Sequence, residues 1–322
     1  MSSSSNSGER ANPLQQLAQL PERGKEPTSA RVLNDWVARA QSDMGVESGR
    51  LGWLIASTIV IAALQRAVDE VGRSRFLLKG GTYLQHRLEW SSRPTRDVDG
   101  LIRGDVDEFL ASLDEILRLP WGPVTIARSE IEIIDSPVRV IKPRRFDIKL
   151  LLKGVIWRKI QVEIASDEGG AAAEQDDLPA PSLSHFGLPS PDHLVGIALR
   201  FQIAQKLHAC SDPHNPPEEI NDRARDVIDL LLMQDLMQTE GFPGVLELKD
   251  ACVAIFVARA QEAEKLSRAP RIWPCVLLAH SHWEDDYRHA AEATNVHLSL
   301  AEAVAAINNW ILEIDESGSS IL

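Results

Sequence analysis

Cysteine is scarce in this chain: Cys210, Cys252 and Cys275 are the only three, far apart and in no C-x-x-C arrangement. That odd, scattered set excludes a disulfide framework and a cysteine-ligated zinc, and it fits a reducing cytoplasm. Long apolar runs are missing too. The longest nearly uncharged one, Trp53 to Leu64, is well short of the roughly 20 residues that a spanning helix needs, so no membrane span is expected. Positive charge is in deficit, with 34 basic against 47 acidic residues and a net charge of −13. That balance excludes a protein that coats nucleic acid non-specifically, because such binding needs a basic surface to displace counterions. The opening MSSSSNSGERANPLQQ has neither a basic start before an apolar stretch nor an arginine-rich amphipathic pattern. Residues 1–28 therefore read as a disordered polar tail rather than a targeting signal.

What is present is enough apolar material for a sizeable core, 44% of 322 residues. A small stapled scaffold is excluded, and two lobes or one domain with a large elaboration are expected. Apolar residues at helical spacing predict two helices between Ser29 and Val71. Phe76 to Lys79 then run into Gly80-Gly81, with a helix expected from Thr82 to Trp90. Arg96 to Ile102 alternate as a short strand, and residues 105–118 return to helical spacing. Strands are expected over 124–134, 144–152 and 155–165, the last two joined by a Lys153-Gly154 turn. Residues 166–191 are rich in Gly, Ala, Pro and acid and read as a linker. Helical spacing then returns over 194–210, 223–237, 245–266 and 299–314. The expected division is a core with N-terminal helices at 29–165, the linker at 166–191 and a helical lobe at 192–322.

The strongest constellation is Gly80-Gly81-Thr82, followed by Thr95-x-Asp97-x-Asp99 and then Glu163. Two carboxylates at i and i+2 share one strand face, and a third from a neighbouring strand completes an oxygen cage for Mg²⁺. Glu163, on the polar face of its strand with Lys159 and Gln161, is one candidate, and Asp147 competes with it. Such a cage suits phosphoryl or nucleotidyl transfer, where metal ions clamp the attacking and leaving oxygens. The glycine pair at a helix entrance lets backbone N–H groups approach phosphate, and Lys79 stands beside it as a helper. Read alone, each part has a bland account: a D-x-D can be a solvated strand end, and a glycine pair can be a plain turn.

In these residues the chain resembles the AbiEii/AbiGii toxin family of nucleotidyltransferase-like proteins, within the polymerase-beta-like superfamily. The resemblance spans roughly residues 30–235 and is carried by FLLKGGTYL at 76–84, RPTRDVDG at 93–100, KIQVEI at 159–164, IAQKLHA at 203–209 and RARDVIDLLLM at 223–233. It implies an α+β fold, with a mixed sheet flanked by helices and followed by a C-terminal helical lobe. It also implies that Gly80, Gly81, Thr82 and Thr95 lie by the nucleotide phosphates, that Asp97, Asp99 and Glu163 hold Mg²⁺ or Mn²⁺, that Lys206 contacts the triphosphate, and that Asp226 is the general base. Where the family usually shows Asp, this chain has Glu163, and where it often has Lys-Asp, this chain has Arg225-Asp226. Arginine keeps the charge and changes a point ammonium into a planar fork. On the helix, Asp226 and Asp229 share a face with Arg223, an arrangement that also suits a surface ion-pair cluster.

From Arg139 to Lys159 eight basic residues face a single acid, Asp147. This local patch suits the phosphates of an RNA acceptor such as a tRNA 3′ end, with Trp157 stacking on a base. Its plainer reading is the solvated face of an edge hairpin. His193, His208, His280, His282 and His289 read as structural, with H-S-H at 280–282 a site for adventitious metal at most. The expected activity is Mg²⁺-dependent transfer of an NMP from an NTP to a macromolecule, as the toxin of a type IV toxin and antitoxin pair with a cognate antitoxin as partner. The alternatives are a silent nucleotide-binding protein, or transfer to a protein hydroxyl or a small molecule such as an aminoglycoside.

Overall fold

The computed structural model describes residues 13–47, 49–88 and 92–317. Helix α1 (Pro13–Gln19) begins within the segment expected to be a disordered tail. Leu17 explains the difference: it is buried in the core, and the chain that follows docks through Arg23 N–H on Ser184 O and His185 Nδ1 against Pro21 O. Residues 1–12 lie outside the described residues, as does Trp90 at the expected end of the fourth helix.

The two expected N-terminal helices are α2 (Ala30–Asp43) and α3 (Arg50–Leu64). Ser29 caps α2 by accepting the Val32 N–H, and α3 is buried along almost its whole length, as its run of Leu, Ile, Val and Ala requires. Strand β1 (Phe76–Lys79) feeds α4 (Gly80–Arg87), and β2 (Asp97–Ile102) returns antiparallel to β1 before α5 (Val106–Arg118). The predicted strand over 124–134 is broken into β3 (Val124–Arg128) and β4 (Glu132–Ile133). Strands β5 (Arg144–Leu152) and β6 (Val155–Ser166) form the expected hairpin, with Lys153 and Gly154 both at positive φ in the turn.

The sheet continues into segments expected to be linker and helix. Strand β7 (Asp176–Leu178) lies in the linker, and β8 (Leu194–Gly196) occupies the predicted start of a helix. Gly196 accounts for β8: its Cα sits so close to the Tyr83 ring and the Leu78 carbonyl that a Cβ would meet them at 2.6 and 2.9 Å, and β8 pairs there with β1 in parallel. The strand order is β3-β5-β6-β2-β1-β8-β7, with β4 on β5, mixing parallel and antiparallel neighbours. Helices α2, α3 and α5 pack on this sheet. Thereafter the chain is helical: α6 (Leu199–Cys210), α7 (Ala224–Glu240), α8 (Val245–Lys265), α9 (Glu284–Thr294) and α10 (Leu300–Glu316). The architecture is a mixed sheet flanked by helices and followed by a helical region, as expected. Among the described residues no helix is long and apolar enough to cross a membrane.

Candidate active site

Because β1 and β2 run antiparallel, the C-terminal end of β1 and the N-terminal end of β2 meet at one edge of the sheet. The register sets Lys79 beside Asp99, Asp99 beside Glu163 and Glu163 beside Arg145, so cation, acid, acid and cation stand abreast on four strands. This edge opens on a cleft of about 1500 Å³ whose opposite wall is built by α6, α7 and the loop 211–223. Lys79, Gly80, Gly81, Thr95, Asp97, Asp99, Glu163, Lys206 and Asp226 all line it. Thr82 does not. The residue is fully buried, and its hydroxyl donates to the Asp97 carbonyl at 2.5 Å, so it ties α4 to β2 and does not face the cleft.

The glycine pair is required by what surrounds it. Gly80 has φ +70°, and a Cβ there would lie 2.5 Å from Asp99 Oδ2. The Gly80 N–H is already held at 3.0 Å by Gln202 Oε1 from α6, a residue that the sequence did not single out, and Gln202 Nε2 has no partner among the described residues. On the strand, the Thr95 hydroxyl donates to Asp97 Oδ1 at 2.9 Å. Burial pushes the Asp99 carboxyl up to about 6, reinforced by the charges of Asp97 and Glu163 and opposed by Lys79 and Lys206. The Lys79 ammonium is pulled below its ordinary value by burial, against the carboxylates of Glu168 and Asp99.

Asp97 and Asp99 fit a hard divalent cation. Both are oxygen donors on one strand face, and a cation between them would relieve the repulsion that raises Asp99. Glu163 is placed differently: its Oε1 accepts from Arg145 at 2.8 and 2.6 Å and from Gln161 at 3.2 Å. Among the described residues no group of three His, Cys, Asp or Glu side chains is arranged to hold a metal ion. Asp147 pairs with Lys159 at 2.8 Å.

Across the cleft, Lys206 Nζ stands 2.5 Å from Asp226 Oδ1 and 2.8 Å from Asp229 Oδ2. Burial works against the ammonium, but the two carboxylates outweigh it and hold Lys206 charged well above its usual range. Burial likewise disfavours the Asp226 carboxylate, and Lys206 and Arg223 more than compensate, so Asp226 sits below its ordinary value. The surface ion-pair account of Asp226 and Asp229 does not hold, since both are buried and both face Lys206.

The model of the family described as nucleotidyl transferase AbiEii toxin, type IV toxin-antitoxin system, matches residues 62–308. The chain belongs to this family. It is a nucleotidyltransferase, and the match reaches beyond α7 into α10. No curated protein matches it. Among solved structures it is similar to MenT4, nucleotidyltransferase toxin Rv2826c from Mycobacterium tuberculosis H37Rv, at 16% identity and TM-score 0.48, over 89% of this chain and 97% of that one.

Two features expected of this AbiEii chain are corrected. Trp157 cannot stack on a base: it is 4% exposed, and its indole N–H donates to Asn34 Oδ1 at 2.9 Å. Half of the eight basic residues of segment 139–159 are tied to acids outside it, and Lys159 pairs with Asp147 inside it. Arg139 pairs with Glu168 and Glu262, Lys142 with Asp135, Arg144 with Asp107 and Arg145 with Glu163. The exposed cations at the cleft are instead Arg96, Arg223 and Arg225. His280 precedes a 3₁₀ turn (Ser281–Trp283) that contains His282, the His282 ring is stacked on His214 at 4.1 Å, and among the described residues they form no metal cluster.

Proposed function

We propose that this nucleotidyltransferase moves an NMP from an NTP to a hydroxyl of a macromolecular acceptor, an RNA with a tRNA 3′ end as the favoured case, and releases pyrophosphate. The observation that carries the reading is the opposition across one cleft of Asp97 and Asp99 with Lys206 and Asp226, the Gly80-Gly81 turn lying in the same cleft. Mg²⁺ or Mn²⁺ bound by Asp97 and Asp99 would supply Lewis-acid neutralisation of the triphosphate oxygens. Thr95 orients Asp97, and the turn brings the N-terminal end of α4 to the cleft, where its dipole favours phosphate, the Gly80 N–H itself being held by Gln202.

Lys206 shares its charge with the triphosphate. Its hold on Asp226 weakens as it does so, and Asp226 then becomes basic enough to take the proton of the attacking hydroxyl. The hydroxyl oxygen bonds to the α-phosphorus, the P–O bond to the β-phosphate breaks, and pyrophosphate leaves. A cleft of about 1500 Å³ exceeds the roughly 300–1,000 Å³ of a small-ligand site, which favours an acceptor that enters beside the NTP. The exposed Arg96, Arg223 and Arg225 favour a polyanion. A cognate antitoxin is the protein partner that type IV membership proposes.

The reading is tested by incubating the protein with each of the four α-³²P-labelled NTPs, Mg²⁺ and total tRNA, beside Asp99→Asn. Label on tRNA that vanishes in the variant supports it. Label only on protein or on a small molecule such as an aminoglycoside moves the acceptor, and label that persists in Asp99→Asn removes the strand edge from the chemistry.

A further inference from the structure

Asp229 lies at the bottom of the α7 wall with its side chain 1% exposed, yet it meets two cations from different parts of the fold. Arg93 approaches from the segment that leads into β2, placing Nε 3.1 Å from Oδ1 and Nη2 2.9 Å from Oδ2. Lys206 Nζ approaches from α6, 2.8 Å from Oδ2. A planar guanidinium on both oxygens of a carboxylate fixes direction as well as distance, which a lysine does not. The same Arg93 Nη2 would be 3.5 Å from a Cβ at Gly81. The fork therefore reaches from the phosphate-side turn to the opposite wall of the cleft.

We infer that Arg93 and Asp229 form a clasp that positions Lys206 and holds the Thr95–Asp97 edge at its working distance from α6 and α7, so that both are positioning residues for nucleotide binding. The inference rests on the proposed transfer reading and deepens it. Lys206 stands between two buried carboxylates, Asp226 and Asp229, and one ammonium facing both has little charge left for a triphosphate. Arg93 takes up the charge of Asp229, which leaves Lys206 to serve Asp226 and the incoming phosphates. The fork also fixes the oxygen that Lys206 contacts, and hence where its Nζ points. Without Arg93 the buried Asp229 would draw Lys206 away from Asp226, and without Asp229 the segment 92–96 would lose its anchor on the helical wall.

The test is equilibrium binding of the non-transferable α,β-methylene analogues of the four NTPs, with Mg²⁺, to wild type, Arg93→Lys, Arg93→Gln, Asp229→Asn and the Arg93→Gln/Asp229→Asn double variant. Measurements are made well below the melting temperature of every variant, and the melting temperatures are recorded alongside. Each of Arg93→Gln and Asp229→Asn is expected to weaken binding about tenfold, with the double variant no worse than about tenfold because the two act as one unit. Arg93→Lys, which keeps the charge and loses the fork, is expected to weaken it about threefold. Variants that melt lower but bind with unchanged Kd show a role in folding alone and overturn the inference, as do losses that multiply to about a hundredfold in the double variant. Wild type that binds none of the analogues contradicts the transfer reading itself and takes the clasp with it, an outcome distinct from wild-type binding that the variants do not change.

Discussion

At Gly80 two demands meet on a single residue. Its φ of +70° strains any side chain, and a Cβ would lie 2.5 Å from Asp99 Oδ2, so an alanine must push Asp99 out of place. Gly80→Ala is expected to cost about 1–3 kcal/mol in urea unfolding and to abolish NMP transfer. Gly154→Ala is the control. It carries the same kind of backbone strain, φ +79° with nothing within 4 Å of the added carbon, and should destabilise without touching transfer. His86 gives a second prediction. It is fully buried, both ring nitrogens lack a partner among the described residues, and burial lowers its pKa to about 4. The folded state thus binds the proton less readily than the unfolded chain, whose value is near 6.5. Stability is fully present above about pH 6.5 and is lost as pH falls toward 4, by about 1.4 kcal/mol per unit at the steepest. His208, lowered by burial and by Arg271 to about 2, acts in the same direction. Unfolding free energies at pH 7 and pH 5 check this: His86→Leu should lessen the loss of stability toward low pH, while Asp99, raised to about 6, binds its proton more readily in the folded state and works the other way in both proteins.

At the scale of elements, the local pieces of the site were legible and their partners were not. Gly80-Gly81 and Asp97-x-Asp99 announce themselves because a helix entrance and a strand alternation are written over a few adjacent residues. Arg145 beside Glu163 depends on a register shift at Leu150/Leu151 within the hairpin, and Asp99 beside Glu163 on the pairing of β2 with β6, strands distant in sequence, neither of which a local pattern encodes. Trp157 shows the same limit. It stands between basic residues on an outwardly polar strand, and its burial comes from Asn34 on a helix about 120 residues earlier. Strand β8 was hidden because Leu194, Val195 and Gly196 run directly into the apolar spacing of α6, and only pairing with β1 separates them. That pairing gives a prediction. Gly196→Ala, with Tyr83 and the Leu78 carbonyl in the way, should cost about 1–3 kcal/mol. It should also deprotect the Ile197 amide, which donates to Leu78 O at 3.0 Å, in hydrogen exchange. Unchanged protection there would show that β8 tolerates the added carbon.

Across the whole molecule, an acidic chain still presents exposed arginines at its cleft. Of the cations there, Arg139, Arg259, Arg268 and Arg271 are tied to Glu168, Glu262, Glu219 and Asp212, while Arg96, Arg223 and Arg225 stay exposed, the last two in looser pairs with Asp226 and Asp286 at 3.6 and 3.7 Å. With RNA as the proposed acceptor, these three arginines would set the salt dependence of its binding. The logarithm of the RNA association constant should fall with the logarithm of salt concentration with a slope of roughly −2 to −3, and Arg96→Gln should reduce that slope by about 1. A much steeper slope would place the acceptor on a broader basic surface.

On the proposed reading, the Asp97–Asp99 edge facing Lys206 is the nucleotidyl-transfer centre. Its most direct test is pyrophosphate release from each NTP in the presence of Mg²⁺ and total RNA, comparing wild type with an Asp97→Asn protein of unchanged melting temperature. Wild type is expected to release pyrophosphate with at least one NTP, and the variant to lose at least about a hundredfold of that rate. Release that survives in Asp97→Asn, or wild type that releases none from any NTP, would contradict that reading.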